Sequence, residues 1–311
     1  MSNPLVSIIL VSHNQGDFVK EAIDSALNQT YPNVELLVVD DGSQDHTPDQ
    51  INSLAEGVRK ILIPQPIGYC KAFNRGFVES KGKYIIDLSG DDILMPDRVG
   101  QGVASLKATG AGINFCDAYY IDAKGAVMGT HYKRDSKKQL LDQVAKGDVF
   151  TAILERYYIC TPTMMIDRQV LEYLGGYDES LYYEDFDFWV RSSRYFQYDF
   201  TDALLVKKRV HDLSMSKFQY LPQSKMLDST LQVCEKAFSL CRSAEEFESL
   251  TVRLKYELRQ AIISNNYETA RGFNELLSKV QPDSFKGQLW SLLLRLKWDF
   301  SFLTQFMGRA R

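Results

Sequence analysis

The sequence predicts an α/β protein: a sheet that is parallel through its first strands, followed after about Lys217 by a region made only of helices. Three observations carry this. Short runs rich in β-branched residues alternate with stretches whose apolar residues recur at helical spacing, the signature of βαβ units. The strand candidates Val6 to Val11 and Val34 to Val39 are continuously apolar rather than alternating, so both sheet faces should be covered. Beyond Lys217 the period changes, with Leu227, Leu231, Cys234, Phe238 and Cys241, and then Phe247, Leu250, Leu254, Leu258 and Ala261, all at helical spacing.

Taken in order, Val6 to Val11 is a buried strand, and Phe18, Ile23, Ala26 and Leu27 mark a helix face. Val34 to Val39 and Val58 to Ile63 are strands, Ala72 to Ser80 a helix, and Lys83 to Leu88 a fourth strand ending in polar residues. Right-handed crossovers of this length place these strands in one parallel sheet. Pro96 to Lys107 reads as a helix, Gly112 to Ile121 as a strand, and Asp122 to Gly125 as a turn into another short strand. Ser136 to Glu155 reads as helical. Thr163 to Ile166 and Ala203 to Val210 read as strands bracketing a helix near Glu184 to Tyr195. The remainder predicts three or four helices, with Pro282 breaking the last two. The division expected is a catalytic α/β domain over 1–216 and a helical region over 217–311.

Composition narrows the function classes. With 36 basic against 40 acidic residues, a net charge of −4, no overall positive field exists to hold a polyanion, so nucleic acid is not an expected partner. The five cysteines are scattered and never in the close pairs that zinc or redox sites use, and they read as reduced thiols. The apolar start, Leu5 to Val11, is short and lacks a basic flank, which favours a strand over a signal peptide. The most apolar window, Leu289 to Met307, contains Arg295, Lys297 and Asp299 and does not meet the roughly 20 apolar residues of a membrane span. A cytoplasmic protein is expected, in contact at most with the membrane surface.

Ligands of parallel α/β sheets bind beyond the carboxyl ends of the strands. Three polar clusters stand there: Ser12-His13-Asn14, Asp40-Asp41-Gly42-Ser43, and Ser89-Gly90-Asp91-Asp92. Each alone also reads as a turn with a helix cap; together they would converge on one edge. Adjacent carboxylates repel unless a cation stands beside them, and hard oxygen ligands favour Mg²⁺ or Mn²⁺, an ion that bridges diphosphate oxygens readily. Asp40 or Asp41 can accept hydrogen bonds from ribose hydroxyls or a uracil imide. Farther on, Gly175-Gly-Tyr-Asp-Glu179 leads into Tyr183-Glu-Asp-Phe-Asp-Phe-Trp189, where Glu184, Asp185 and Asp187 crowd one turn. An acidic first turn suits a helix dipole, but the aromatic crowding points beyond it, to a carboxylate held near apolar rings as a general base. His211 follows the last strand and is a competent metal or phosphate contact as neutral imidazole.

These motifs resemble the inverting glycosyltransferases of family 2, whose catalytic domain has the GT-A fold, a Rossmann-like mixed sheet. The matching stretches are Val6 to Asn14, Asp40 to Ser43, Asp91-Asp92 with Pro96, Glu184-Asp185 behind Gly-Gly-Tyr-Asp-Glu, and His211-Asp-Leu-Ser214, in the family's order over about residues 4 to 216. The resemblance implies that Ser12, His13 and Asn14 flank the nucleotide and that Asp41, with Asp40, holds uridine. It implies Asp92 as the principal metal ligand, Asp91 on ribose or metal, Asp185 as catalytic base beside Glu184, and His211 on metal or diphosphate. Where family members commonly carry Arg, this chain has Phe73, which leaves Lys71 to supply the positive charge or points to a different donor.

The expected reaction is a single in-line displacement from a nucleotide diphosphate sugar, a UDP-sugar, onto a saccharide or lipid-linked acceptor, with Mn²⁺ or Mg²⁺ assisting and Asp185 taking the acceptor's proton. Two other readings compete. A sugar nucleotidyltransferase would need a Gly-rich phosphate loop, which Ser12-His-Asn-Gln-Gly16 is not. A binding or scaffold module on the same fold has no use for a base and a metal ligand together. The tail from Phe285, with Trp290 and Trp298, suits an interfacial helix near a lipid-linked acceptor, or a core helix packed on the appendage or on a second copy of the chain.

Overall fold

The computed structural model describes residues 3–54, 58–212 and 214–281. In chain order its regular elements are β1 (Val6–Ser12), α1 (Val19–Leu27), β2 (Val34–Asp41), α2 (Thr47–Asn52), β3 (Arg59–Ile63), α3 (Tyr69–Glu79) and β4 (Tyr84–Ser89). Then follow β5 (Ile93–Leu94), α4 (Arg98–Thr109), β6 (Ile113–Ile121), β7 (Val127–Thr130), α5 (Phe150–Glu155), β8 (Met165–Asp167) and α6 (Arg168–Leu174). The chain continues through α7 (Asp185–Ser193), β9 (Tyr198–Arg209), α8 (Lys225–Leu240), α9 (Ala244–Ile263) and α10 (Tyr267–Val280). These elements group into two compact units. The first comprises Met1–Val149, Ile159–Ser180 and Tyr195–His211; the second comprises Phe150–Tyr158, Leu181–Arg194 and the chain from Asp212.

The first unit holds the sheet, in the order β3-β2-β1-β4-β8-β6-β9-β5 with β7 paired to β6. β3, β2, β1 and β4 are mutually parallel, as their crossover spacing predicts. β8 runs antiparallel between β4 and β6, which makes the sheet mixed. The continuous apolarity of β1 has a direct cause. Val6, Ile8 and Leu10 join one core cluster with Val19, Ala22, Ile23 and Ala26 of α1, while Ile9 and Val39 face α3. There Gly76 lets the helix approach: a Cβ on it would stand 2.6 Å from Ile9 and 3.0 Å from Val39. Each strand residue is therefore buried, on one face or the other.

Two sequence expectations differ from the structure. Ser136 to Glu155 reads as one helical stretch, but only α5 is helical. Upstream of it, the Asp135 carboxylate accepts the amides of Lys137 and Gln139, both at 2.8 Å. That local bonding closes a turn in place of a helix, and Gly147, at φ 81°, then bridges to Tyr198. The short helices α2 and α6 escape the periodicity reading for lack of length. α6 is nonetheless marked by its ends, with the Asp167 side chain accepting from Gln169 and Gly175 closing the helix at φ 74°.

The second unit is helical. Of the face expected of α9, Leu250, Leu254, Leu258 and Ala261 are fully buried and Phe247 is half-buried. α9 opens on a capping box in which Ser243 and Glu246 each satisfy a backbone amide of the other's position. All five cysteines are free thiols, four of them buried. Among the described residues no helix is long and apolar enough to cross a membrane. The interfacial or packing helix expected from Phe285, with Trp290 and Trp298, lies outside the described residues.

Candidate active site

Parallel pairing sets the ends of β1, β2 and β4 side by side: Ser12 pairs with Asp40, and Val11 with Ser89. The three polar clusters therefore share one sheet edge. Ser12 Oγ is buried there and, among the described residues, has no hydrogen-bond partner; a Cβ at Gly90 would stand 2.7 Å from it. Asn14 takes a left-handed conformation, φ 51°, which lets its amide donate to Ser43 Oγ at 2.8 Å and its side-chain oxygen accept from the Gln44 amide at 2.8 Å. His13 Nδ1 lies 2.6 Å from the Asp41 carbonyl oxygen. The first cluster thus braces the second.

Asp40 closes its own turn, accepting the Ser43 amide at 3.1 Å and the Ser43 hydroxyl at 2.5 Å. Asp41 instead shapes the loop before α3: its two oxygens accept the amides of Ile67 at 2.7 Å and Gly68 at 2.9 Å. A carboxylate oxygen has a further lone pair, so both residues retain acceptor capacity toward a ligand. Lys71 stands exposed on α3. Phe73, at the position where Arg is expected, is fully buried and stacks on Tyr177 with ring centroids 4.2 Å apart. The Gly-Gly-Tyr-Asp-Glu stretch is anchored at the same place. Tyr177 and Tyr69 both donate to the buried Asp87, at 2.9 and 2.8 Å, and Asn74 exchanges two 2.9 Å hydrogen bonds with the backbone of Tyr177.

Asp91, Asp92 and His211 are brought together. Asp91 accepts from Ser89 Oγ at 2.6 Å and lies 2.9 Å from His211 Nε2. A carboxylate only accepts, so this nitrogen carries the proton. Burial works to raise the Asp91 pKa, but the hydrogen bonds from His211 and Ser89 outweigh it and hold the carboxyl below its usual value. Asp92 accepts the Arg209 amide at 2.8 Å. Burial, reinforced by the Asp91 charge, pushes its carboxyl well above the usual value. A charge so desolvated beside a like charge favours an added cation. Among the described residues no three histidine, cysteine or acidic groups form a ready-made metal cage. The donor set therefore fits a hard divalent ion that takes one or two protein carboxylates and fills its remaining positions with phosphate oxygens and water.

Arg209, to which the sequence reading assigns no role, fastens this cluster. Its guanidinium donates to the Asp91 carbonyl at 3.0 Å, to the carbonyls of Asp122 and Ala123 at 3.1 and 3.2 Å, and to Glu21 at 2.5 Å. It also lies 4.8 Å from the Phe18 ring centroid, and the His211 ring centroid lies 4.9 Å from the same ring. The available signal was its place two residues before His211 at a strand end.

Glu184 and Asp185 belong to the second unit. The Glu184 carbonyl accepts the Phe188 amide at 2.9 Å, and Asp185 Oδ1 accepts the amide of Phe186 at 2.6 Å. Asp187, almost fully buried, is committed to ion pairs. Arg191 holds one oxygen at 2.6 Å and Lys236 of α8 holds the other at 2.6 Å. Of the three crowded acids, Asp187 is thus a fastening of the helix rather than a candidate base.

The sequence profile described as Glycosyl transferase family 2 matches residues 7–175. A relative named as an uncharacterized glycosyltransferase of Rickettsia typhi is 34% identical over 216 residues, covering 68% of this chain and 65% of that protein. The fold is similar to that of S. aureus TarS 1-349 in complex with UDP-GlcNAc, with a TM-score of 0.72, 14% identity, and coverage of 94% of this chain and 88% of that one. It is also similar to the mannosyltransferase PcManGT from Pyrobaculum calidifontis in complex with GDP-Man and Mn2+, with a TM-score of 0.58, 14% identity, and coverage of 96% and 86%. With a mixed α/β sheet of GT-A type, its polar clusters at one sheet edge, and a profile match over more than half its length, the chain belongs to glycosyltransferase family 2.

Proposed function

We propose that this glycosyltransferase moves a sugar from a UDP-sugar to a hydroxyl of a growing glycan or lipid-linked saccharide, with inversion. The observation that carries the reading is the cluster of Asp91, Asp92 and His211 at the strand ends that also present Asp40 and Asp41. Two proteins of similar fold add support: TarS 1-349 in complex with UDP-GlcNAc, and PcManGT in complex with GDP-Man and Mn2+.

In this reading Ser12, His13 and Asn14 border the nucleotide, while Asp40 and Asp41 offer acceptor oxygens to its uridine and Lys71 supplies positive charge from α3. Asp92 and His211 would hold Mn²⁺ or Mg²⁺, with Asp91 on ribose or on the ion. A divalent ion there supplies stabilisation of the negative charge that develops on a departing diphosphate. Asp185, with Glu184 beside it, removes the proton from the acceptor hydroxyl as the oxygen attacks the anomeric carbon, so no covalent intermediate forms. Residues 1–216 carry the donor chemistry. Residues 217–311 serve acceptor, membrane or self-association contacts, with the protein working in the cytoplasm at the inner membrane face.

A thermal-shift screen of UDP-GlcNAc, UDP-glucose and GDP-mannose, each with and without Mn²⁺, tests the donor assignment. A ligand that binds only the folded state raises the melting temperature. UDP-sugars should do so, more with Mn²⁺ than without. A shift with GDP-mannose alone would replace the base assignment, and no shift with any donor would remove the reading.

A further inference from the structure

We propose that the helical region takes part in catalysis as a positioning scaffold: Arg253 of α9 sets the orientation of the turn that bears Asp185. This rests on the reading of Asp185 as the base. All the groups involved lie within the second unit.

Arg253 is buried, and its guanidinium is spent on the underside of that turn. Its centre lies 4.9 Å from the ring centroid of Phe186, the residue after Asp185, and 4.1 Å from that of Tyr157. The two rings meet edge to face at 5.1 Å. The same guanidinium donates to the Leu154 carbonyl at 3.1 Å and to Glu257 at 3.2 Å, and the second Glu257 oxygen accepts from Tyr220 at 3.1 Å. The Tyr157 hydroxyl lies 3.3 Å from that of Tyr183, which lies 2.8 Å from Thr230 Oγ1 on α8. Beside it the Tyr182 amide donates to Ser229 Oγ at 2.9 Å. Residues 182 to 187 are thereby gripped by Tyr157, which follows α5, and from α8 and α9, with Lys236 on Asp187 as the last hold.

A buried ion pair between Arg253 and Glu257 is poor value as a stabiliser, because desolvation offsets most of its attraction and apolar residues of like volume serve as well. What an apolar pair cannot do is hold a planar cation against two rings while donating to a backbone carbonyl of α5. The arrangement specifies a geometry, and the atoms whose geometry it specifies flank the carboxylate assigned to proton removal. Displacing a catalytic group by about 1 Å costs on the order of 100-fold in rate.

The test uses the full chain and the variants R253Q, R253K, S229A and D185N, with D185N also combined with R253Q. Hydrogen exchange is read over the amides of residues 182 to 188, UDP release from UDP-GlcNAc gives kcat, and UDP binding by calorimetry gives the donor affinity. Expected are faster exchange over that segment in R253Q and S229A, a 10- to 100-fold fall in kcat for R253Q with R253K in between, and UDP affinity within about threefold of the unaltered chain. In the D185N background R253Q should add nothing, because both changes act on one group. Unchanged exchange in R253Q and S229A overturns the proposal, as does equal rate loss from R253Q with and without Asp185, or a fall in UDP affinity that matches the fall in rate. Unimpaired turnover of D185N alone removes the base assignment, and the proposal with it. Should R253Q not fold, R253K and S229A carry the same exchange and rate criteria.

Discussion

Replacing Arg209 with Met should cost far more than its one visible ion pair implies. The partner carboxylate, Glu21, has a side chain 57% exposed, so solvent screening leaves that pair about 0–1 kcal/mol. The other contacts are the carbonyls of Asp91, Asp122 and Ala123, which Arg209 satisfies from a position only 3% exposed. Each hydrogen bond contributes about 1 kcal/mol net, and a carbonyl left buried without a donor costs about 1–3 kcal/mol. Only Asp91 is buried, Asp122 being half-buried and Ala123 exposed, so the first acceptor costs about 1–3 kcal/mol and each of the others about 0.5–1.5 kcal/mol, which gives about 2–6 kcal/mol for R209M against less than about 1 kcal/mol for E21Q. At roughly 2–4 °C per kcal/mol for a chain of this size, R209M should melt about 10 °C lower and E21Q within about 2 °C of the parent. Calorimetric melting of the three proteins decides. Equal losses from the two variants would refute the reasoning, since they would place the energy in the ion pair and not in the carbonyls that hold the Asp91-Asp92 turn.

Three further outcomes are expected. Burial tends to raise the Glu246 carboxyl, but hydrogen bonds from Arg194 and the Arg242 amide outweigh it and leave its pKa lowered; such a group stabilises the fold above its unfolded pKa of about 4.3 and loses that contribution as pH falls through the folded value. Melting curves of the parent and E246Q should therefore differ by about 1–2 kcal/mol near pH 7 and converge below about pH 4, and a gap independent of pH would contradict this. Burial pushes the thiols of Cys116 up to about 11 and of Cys160 to about 12, so intact-mass spectra after iodoacetamide at pH 8 should show neither alkylated until the chain is unfolded; prompt native labelling of either would contradict the packing. D41N presents an amide donor to one of two backbone donors, Ile67 or Gly68, which should weaken UDP binding by about 10- to 100-fold through loss of a charge-assisted hydrogen bond; an unchanged affinity in titration calorimetry would sever Asp41 from the donor site.

Legibility in the sequence followed burial and range. β1, β2 and β4 are buried on both faces, and a run such as Ser7-Ile-Ile-Leu-Val11 has few other uses. The acidic and polar clusters at their ends were visible because parallel pairing puts strand ends together regardless of distance in the chain. What stayed hidden was decided by single partners far away. Asp187 looked equivalent to Asp185 until Lys236, 49 residues on, occupied it. Phe73 looked like a missing cation but fills core space against Tyr177, 104 positions along the chain, and Arg209 reaches back to Glu21, 188 residues earlier. The overextended helix before α5 failed for a local reason, the Asp135 side chain capturing the amides that a helix would have used.

The assignment of Asp185 as the group that takes the acceptor's proton is tested most directly by measuring two quantities on D185N: UDP affinity by calorimetry and UDP release from UDP-GlcNAc in Mn²⁺. General-base removal costs about 10²- to 10⁴-fold in rate. D185N should lose that much turnover with UDP affinity within about threefold of the parent; turnover equal to the parent's, or affinity and rate falling together, would contradict the assignment.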